Sequence, residues 1–426
     1  MTAAEPEPAS SLLDFLAASP SPHHAAAEAA RRLVDAGFEA VDPARPWPGG
    51  SGRRFLLRGG ALMAWVVPEG AVATTPFRVV AAHTDSPGLR LRPRPDTGGS
   101  GWKQAAVDVY GGALLNSWLD RDLGVAGRLV TDTGHEVLLR LDLPLFRVPQ
   151  LAVHLDRGVN DGLVLDRQRH LVPVWGLGSP RPGELSALLA DAADTDPRSV
   201  AAWDLALFDL TPPGLLGLAE EFVVSARLDD QFSCWAAVDA LTRAAGDTGG
   251  TVAVAALFDH EEVGSATATG AEGTMLPDLL ERVVLAAGGN REDLHRAMAG
   301  STLVSADMGH AVHPNYPERS EPAHAPLPNG GPVVKVNTNQ RYATDARTAA
   351  AFAATCDRAG VPHQVFLTNA SVPCGSTIGP ALATRLGVDT VDVGCAQLSM
   401  HSARELAGAA DAGFLTAAFA EFYTGG

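Results

Sequence analysis

Four cysteines in 426 residues (Cys234, Cys356, Cys374, Cys395) are too few and too scattered for a disulfide scaffold or a thiolate zinc site. Basic residues are also scarce: 32 Lys and Arg face 49 Asp and Glu, a formal charge of −17. That balance excludes nucleic acid and anionic lipid as main partners, since both require a basic footprint. A clean membrane-spanning run is missing too. The longest uncharged stretch, Ala359 to Thr384, is broken by Pro362, Pro373 and Pro380 and carries His363, Gln364 and Asn369. The opening MTAAEPEPAS is acidic and has no apolar signal region. The expectation is a soluble protein of a reducing, cytoplasmic compartment.

What is present suits a large globular chain. An apolar fraction of 46% with 19% charged residues can bury a sizeable core, and the length suggests two to three domains. Ser10 or Ser11 can cap a first helix over LLDFLAAS, and HHAAAEAARRLVDAGF reads as a second helix stopped at Gly37. His23-His24 reads as a surface feature of that helix. ALMAWVV and FRVVAA follow as strands. Residues 93–226 carry short β-like runs (VLLRLDL, LAVHLD, LVPVWGL) and a helical ELSALLADAA. From Arg227 helices and wholly apolar strands alternate again, the pattern of a largely parallel α/β sheet. The organisation expected is an α/β domain built from residues 1–92 and 227–426, interrupted by a smaller β-rich domain at 93–226.

The chemistry lies at the ends of the apolar runs. RVVAA leads into His83-Thr84-Asp85, VAVAALF into Asp259-His260-Glu261-Glu262, and STLVSA into Asp307. Ligands of open α/β sheets bind beyond the carboxyl ends of the strands, so three strands would deliver imidazole and carboxylate to one rim. Such donors without thiolates suit zinc or a similar divalent ion in a catalytic site. The number of carboxylates permits two ions sharing a ligand and a water. Asp85 can orient His83, and the Glu261-Glu262 pair offers one ligand and one base. Competing motifs fail: Gly264 occupies the second histidine position of H-E-x-x-H, no P-loop is present, and Thr377 replaces the serine of a nucleophile elbow. Cys374 reads as a pocket-wall residue, and WLDRDL (Trp118–Leu123) as structural.

AAHTDSPGLRL, RLDDQFSCWAA, FDHEEVGS, SADMGHAVHPNYPERSEP, KVNTNQRYAT, PCGSTIGP and QLSMHSARE together resemble the aspartyl-aminopeptidase-like M18 metallopeptidases, in order from His83 to about Glu405. The resemblance implies a two-metal aminopeptidase domain interrupted by a dimerisation domain, acting on peptide substrates. It also implies dimers assembled into a homo-oligomer, commonly a dodecamer. By the same resemblance, His83, Asp229 and Asp307 would hold one ion, and Asp229, Glu262 and His401 the other. The ions would be zinc, with manganese or cobalt as alternatives. Glu261 matches the general base and Asp85 the orienting partner of His83. His154 of LAVHLDR resembles a histidine that reaches a neighbouring subunit's site.

Two positions depart from the family pattern. Asp230 stands where relatives often carry Asn, leaving open which carboxylate bridges, and His260 stands where some carry Asn. His310, His313 and His324 read as loop or pocket residues. The family also implies a preference for acidic N-terminal residues, which needs a cation in the pocket; Lys335 is the first candidate and Arg341 the second. Rival readings are another two-metal amide hydrolase, such as a deacetylase or dipeptidase, and a non-catalytic assembly or targeting protein.

Overall fold

Apolar residues fill both faces of the strands that lead to the expected rim, and each face is covered by helices. The computed structural model describes residues 8–425. Its largest sheet has nine strands, in the spatial order Glu39–Ala40, Gly52–Arg58, Ala61–Val67, Val252–Phe258, Phe77–His83, Thr302–Ala306, Asp389–Gly394, Val333–Val336 and Gln364–Leu367. The four strands from Val252–Phe258 to Asp389–Gly394 are mutually parallel. Along them Val80, Ala82, Ala255, Leu257 and Val304 enter one core, while Val79, Ala81, Val254, Ala256 and Leu303 enter another. That alternation follows from the two-residue period of a strand buried on both faces. Helices Pro8–Ala18, Pro22–Asp35, Leu228–Ala244 and Asp411–Thr424 cover the first core, and Met275–Ala286 covers the second.

The largely parallel sheet expected from the alternation holds in part: the centre and both edge pairs are parallel. Ala61–Val67 and Val333–Val336 flank the parallel strands antiparallel, so the sheet is mixed. A second sheet of six strands lies wholly between Gly88 and Asp209, every neighbouring pair antiparallel. Its first strand, Gly88–Gly99, begins before the boundary expected at 93. Strands Gly214–Leu216 and Phe222–Ser225 belong to a third sheet, where the second of them pairs with Glu405–Gly408.

Three local expectations change. LAVHLD forms exposed turns rather than a strand, because its apolar residues find nothing in the chain to pack on: Leu151, Val153 and Leu155 are all exposed. The first helix begins at Pro8, so Ser11 is inside it. Its hydroxyl accepts from Arg32 Nη1 (2.9 Å) and Trp235 Nε1 (3.2 Å) instead of capping. His23-His24 is not a surface feature. Ser21 caps the second helix, and His23 is 8% exposed where the helix start meets Asp204 of the six-stranded sheet, 4.0 Å away.

Burial, reinforced by Arg128 for His23 and by Arg140 for His24, pushes both imidazoles down to about 4. Between pH 6.5 and 4 the unfolded chain therefore takes up protons that the folded chain refuses. This stability is complete above about pH 6.5 and is lost as pH falls toward 4. At pH 5 the loss for His23 is on the order of 2 kcal/mol. The His23→Gln protein is expected to show a shallower fall in melting temperature between pH 7 and 5 than the unaltered protein. Parallel curves would show that His23 titrates alike in both states.

Candidate active site

His83 ends its strand directly beside Phe258, whose own strand runs on into Asp259-His260-Glu261-Glu262. Thr302–Ala306 ends at Asp307, on the far side of the His83 strand. The three strand ends therefore share one rim, as expected. They open into a cleft of about 780 Å³ whose wall includes His83, Asp229, Glu261, Glu262, Asp307 and His401.

Asp229 sits at the centre. Its backbone leaves helical geometry at the start of Leu228–Ala244, and the Asp229-Asp230 peptide is cis. The carboxylate lies between two imidazoles: Oδ1 is 3.3 Å from His83 Nε2, and Oδ2 is 3.5 Å from His401 Nε2. His401 Nε2 is also 3.3 Å from Glu262 Oε1. His83, Asp229 and Glu262 offer ligand atoms within 4.8 Å of one another, as do Asp229, Asp230 and Asp307. Asp230 Oδ2 accepts from the His83 backbone N–H (3.2 Å), and its Oδ1 is buried without a hydrogen-bond partner. Lys335 is buried at the same rim, with Nζ 3.4 Å from Asp307 Oδ1 and donating to the Met308 carbonyl (2.8 Å).

Asp85 is buried behind these groups. Its carboxylate accepts from the backbone N–H of Glu261 (3.0 Å) and Glu262 (3.1 Å) and from the Tyr110 hydroxyl (2.7 Å). His83 Nδ1 lies 3.0 Å from the Asp85 carbonyl and 3.5 Å from Oδ1. Glu405, also buried, accepts from the backbone N–H of Asp229 (3.1 Å) and of His401 (2.6 Å).

The site is overloaded with carboxylates. Burial, with Asp307, Glu262 and Asp229 nearby, pushes Glu261 up to about 8. Burial and Asp229 push Glu262 up to about 7, against the pull of His401. Burial would lower His401, but Asp229 and Glu262 outweigh it and hold that imidazole at about 11. Two buried oxygens, Asp229 Oδ1 and Glu262 Oε1, have no hydrogen-bond donor although imidazole nitrogens come within 3.3 Å of each. Unpaired buried acceptors are costly. Lone pairs of imidazole and carboxylate aimed at common points form the donor set that divalent zinc-like cations take, so these residues fit metal.

Other residues singled out in the sequence stand apart. His260 is turned from the cleft toward Thr267 and Thr269, 3.1 and 3.2 Å from Nδ1. His310 and Arg341 line the cleft, whereas His324 pairs with Glu321 on a loop. His154 is exposed on its turn and is not part of this chain's cleft wall. Sequence reading passed over Tyr110, Gly112 and Glu405. Only Glu405 carried a signal, as the last residue of the MHSARE run.

A sheet with a parallel centre, ending in a rim of converging imidazoles and carboxylates, defines a metal-dependent hydrolase. The family model of the aminopeptidase I zinc metalloproteases (M18) matches residues 15–423, and the chain belongs to that family. A Streptomyces coelicolor protein named probable M18 family aminopeptidase 2 is 54% identical over 415 residues, 96% of each chain. Among solved structures, Ape4 from its complex with Nbr1 superposes with a TM-score of 0.94 at 35% identity, covering 98% of this chain and 85% of that one. The mApe1 dodecamer of S. cerevisiae gives 0.85 at 29% identity, covering 97% and 96%. The chain is thus a metalloaminopeptidase, a hydrolase acting on peptides. This sets aside the deacetylase, dipeptidase and non-catalytic readings. Among the described residues, no helix is long and apolar enough to cross a membrane.

Proposed function

We propose that this aminopeptidase works with two divalent ions, zinc being the family's metal, and with Glu261 as the general base. One ion would be held by His83, Asp229 and Asp307, the other by Asp229, Glu262 and His401. The observation that carries this reading is the Asp229 carboxylate, placed between two imidazoles with an oxygen left unpaired. When bound, the ions supply Lewis acidity and a water of lowered pKa. Glu261, on the cleft wall and outside the ligand clusters, takes the proton of the attacking water and returns it to the departing amine. Asp85 keeps that carboxylate and its neighbour Glu262 in place through their backbone N–H groups and orients His83.

The same proposal covers assembly. The six-stranded unit between Gly88 and Asp209 would be the dimerisation domain, and the subunits would build a homo-oligomer like the S. cerevisiae mApe1 dodecamer. His154, on an exposed turn of that unit, would reach a neighbour's cleft. The compartment would be the cytoplasm.

Selectivity for acidic N-terminal residues is assigned to Arg341. Lys335 faces the cleft, but its ammonium is engaged by Asp307 and the Met308 carbonyl. Arg341 lines the cleft and is exposed; among the described residues it donates only to the Gly375 carbonyl (3.3 Å). The protein is expected to release chromophore from Asp and Glu anilides faster than from Leu anilide, and to leave N-acetylated anilides intact. Arg341→Ala should lower kcat/KM for Asp and Glu about tenfold or more, as for a lost hydrogen bond to a charged group, and spare Leu. An equal loss on all substrates would remove Arg341 from selectivity. Cleavage of the N-acetylated substrates would overturn the requirement for a free amine.

A further inference from the structure

We propose that the segment Tyr110-Gly111-Gly112, at the end of the inserted strand Trp102–Tyr110, positions both metal subsites at once; this rests on the ligand sets proposed above. Each of the three residues touches a different part of the site. The Tyr110 hydroxyl donates to Asp85 Oδ2 at 2.7 Å. Asp85 is the carboxylate that faces His83 Nδ1 and accepts the backbone N–H groups of Glu261 and Glu262. Tyr110 therefore acts on one subsite and on the general base through a single group. Its ring is held in turn by the Arg90 guanidinium, 3.5 Å above the ring centre.

Gly111 and Gly112 serve the other subsite by having no side chain. Gly111 adopts a φ of +65°, and a Cβ there would lie 3.1 Å from Glu262 Cβ and 3.2 Å from the Glu262 carbonyl oxygen. A Cβ on Gly112 would lie 3.3 Å from His401 Nδ1. The Gly112 carbonyl is 3.1 Å from that same nitrogen. A carbonyl can only accept, so Nδ1 keeps its proton there, and Nε2, the nitrogen that faces Asp229 and Glu262, is the one left to act as a ligand when an ion is bound. Two residues further on, the Leu114 N–H donates to the His401 carbonyl (2.9 Å), pinning the backbone of the same histidine.

The inserted domain thus does more than join subunits. One strand end from it fixes the rotation of Asp85, the approach of Glu262 and the tautomer of His401. All three are set by hydrogen bonds and close contact rather than by direct ligation. They are positioning contacts, whose loss costs about 10–100-fold in metal affinity or activity where a ligand's outer partner is removed.

Tyr110→Phe tests this most cleanly, because it keeps the ring under Arg90 and removes only the hydroxyl. The purified full chain, loaded with zinc, would be titrated with a chelator and its two ions counted, alongside kcat, KM and oligomer size. Expected for Tyr110→Phe are the oligomer size and the ion-free melting temperature of the unaltered protein, ions lost at about 10–100-fold lower chelator strength, and kcat lowered more than KM. Gly112→Ala should release mainly the ion held by His401. The cobalt-substituted variant should also show a shifted visible spectrum. Tyr110→Leu serves as the control for packing, since it removes the ring as well and should lower the melting temperature. If the unaltered protein binds no divalent ion, the two-metal reading falls and takes this inference with it. If it binds two, and Tyr110→Phe matches it in ion retention and kcat, this inference alone is overturned.

Discussion

Glu261→Gln is expected to keep the fold and both ions while lowering turnover by about 10²–10⁴, the range for a lost general base. Gln has nearly the shape of Glu, and the residue is anchored through its backbone N–H to Asp85, so the loop has little reason to move. Nothing in the ligand geometry depends on the Glu261 carboxylate. Glu262 is the member of the pair that approaches His401 and joins the cluster with His83 and Asp229. What the substitution removes is the capacity to take a proton in a buried site where carboxylates crowd together. Ion analysis and steady-state rates on the same preparation check it. A variant that sheds an ion yet turns over appreciably would show that Glu261 is the ligand and Glu262 the base. The inactive variant also tests His154: mixed with inactive His154→Ala chains, it should recover part of the activity if one site draws on two subunits. Verified mixed oligomers without recovery would leave His154 as an interface residue only.

Part of the candidate site was legible because it stands where strong local signals end, whereas Asp229 and His401 were reached only through the family resemblance. His83, Glu261 with Glu262, and Asp307 each follow an apolar run, and such runs at the centre of a sheet are buried on both faces and hard to mistake. The residues that aim them were not legible. Tyr110 meets Asp85 across 25 positions of sequence, and Gly112 meets His401 across 289. Nothing in a tyrosine followed by two glycines says which distant groups will close on it. The misread helix start has the same origin. His23-His24 looks like a polar face when the helix is considered alone, and becomes buried only because the six-stranded sheet folds over it. LAVHLD has strand-like composition, but a strand forms only where a partner edge exists. Lys335 could be placed on a strand near the rim from sequence; that its ammonium is taken up by Asp307 could not.

Asp229→Ala is expected to remove both ions and reduce activity to background, whereas His83→Ala or His401→Ala should weaken mainly one ion. The difference follows from position: one carboxylate faces both imidazoles, while each imidazole faces only its own side. Glu405 supports that carboxylate by accepting the Asp229 N–H, so its direction is fixed before any ion arrives. Asp230, the alternative bridge, bonds the His83 backbone through Oδ2, and Asp230→Ala should leave two ions in place. Stability should separate the effect on metal from damage to the fold. Without ions, Asp229 helps push Glu261, Glu262 and Asp307 upward and has an unpaired buried oxygen of its own. Its pairing with His83 and His401 outweighs that repulsion and holds its own carboxyl well below the usual range, so ion-free Asp229→Ala should melt below ion-free unaltered protein. With ions the gap widens. A ligand bound only by the folded state at 100 times its dissociation constant adds about 2.7 kcal/mol, which the variant cannot gain. Chelation should accordingly lower the melting temperature of the unaltered protein and leave that of Asp229→Ala unchanged. Full two-ion occupancy in Asp229→Ala would overturn the shared-ligand arrangement, and the site would then have to be rebuilt around Asp230 and Asp307.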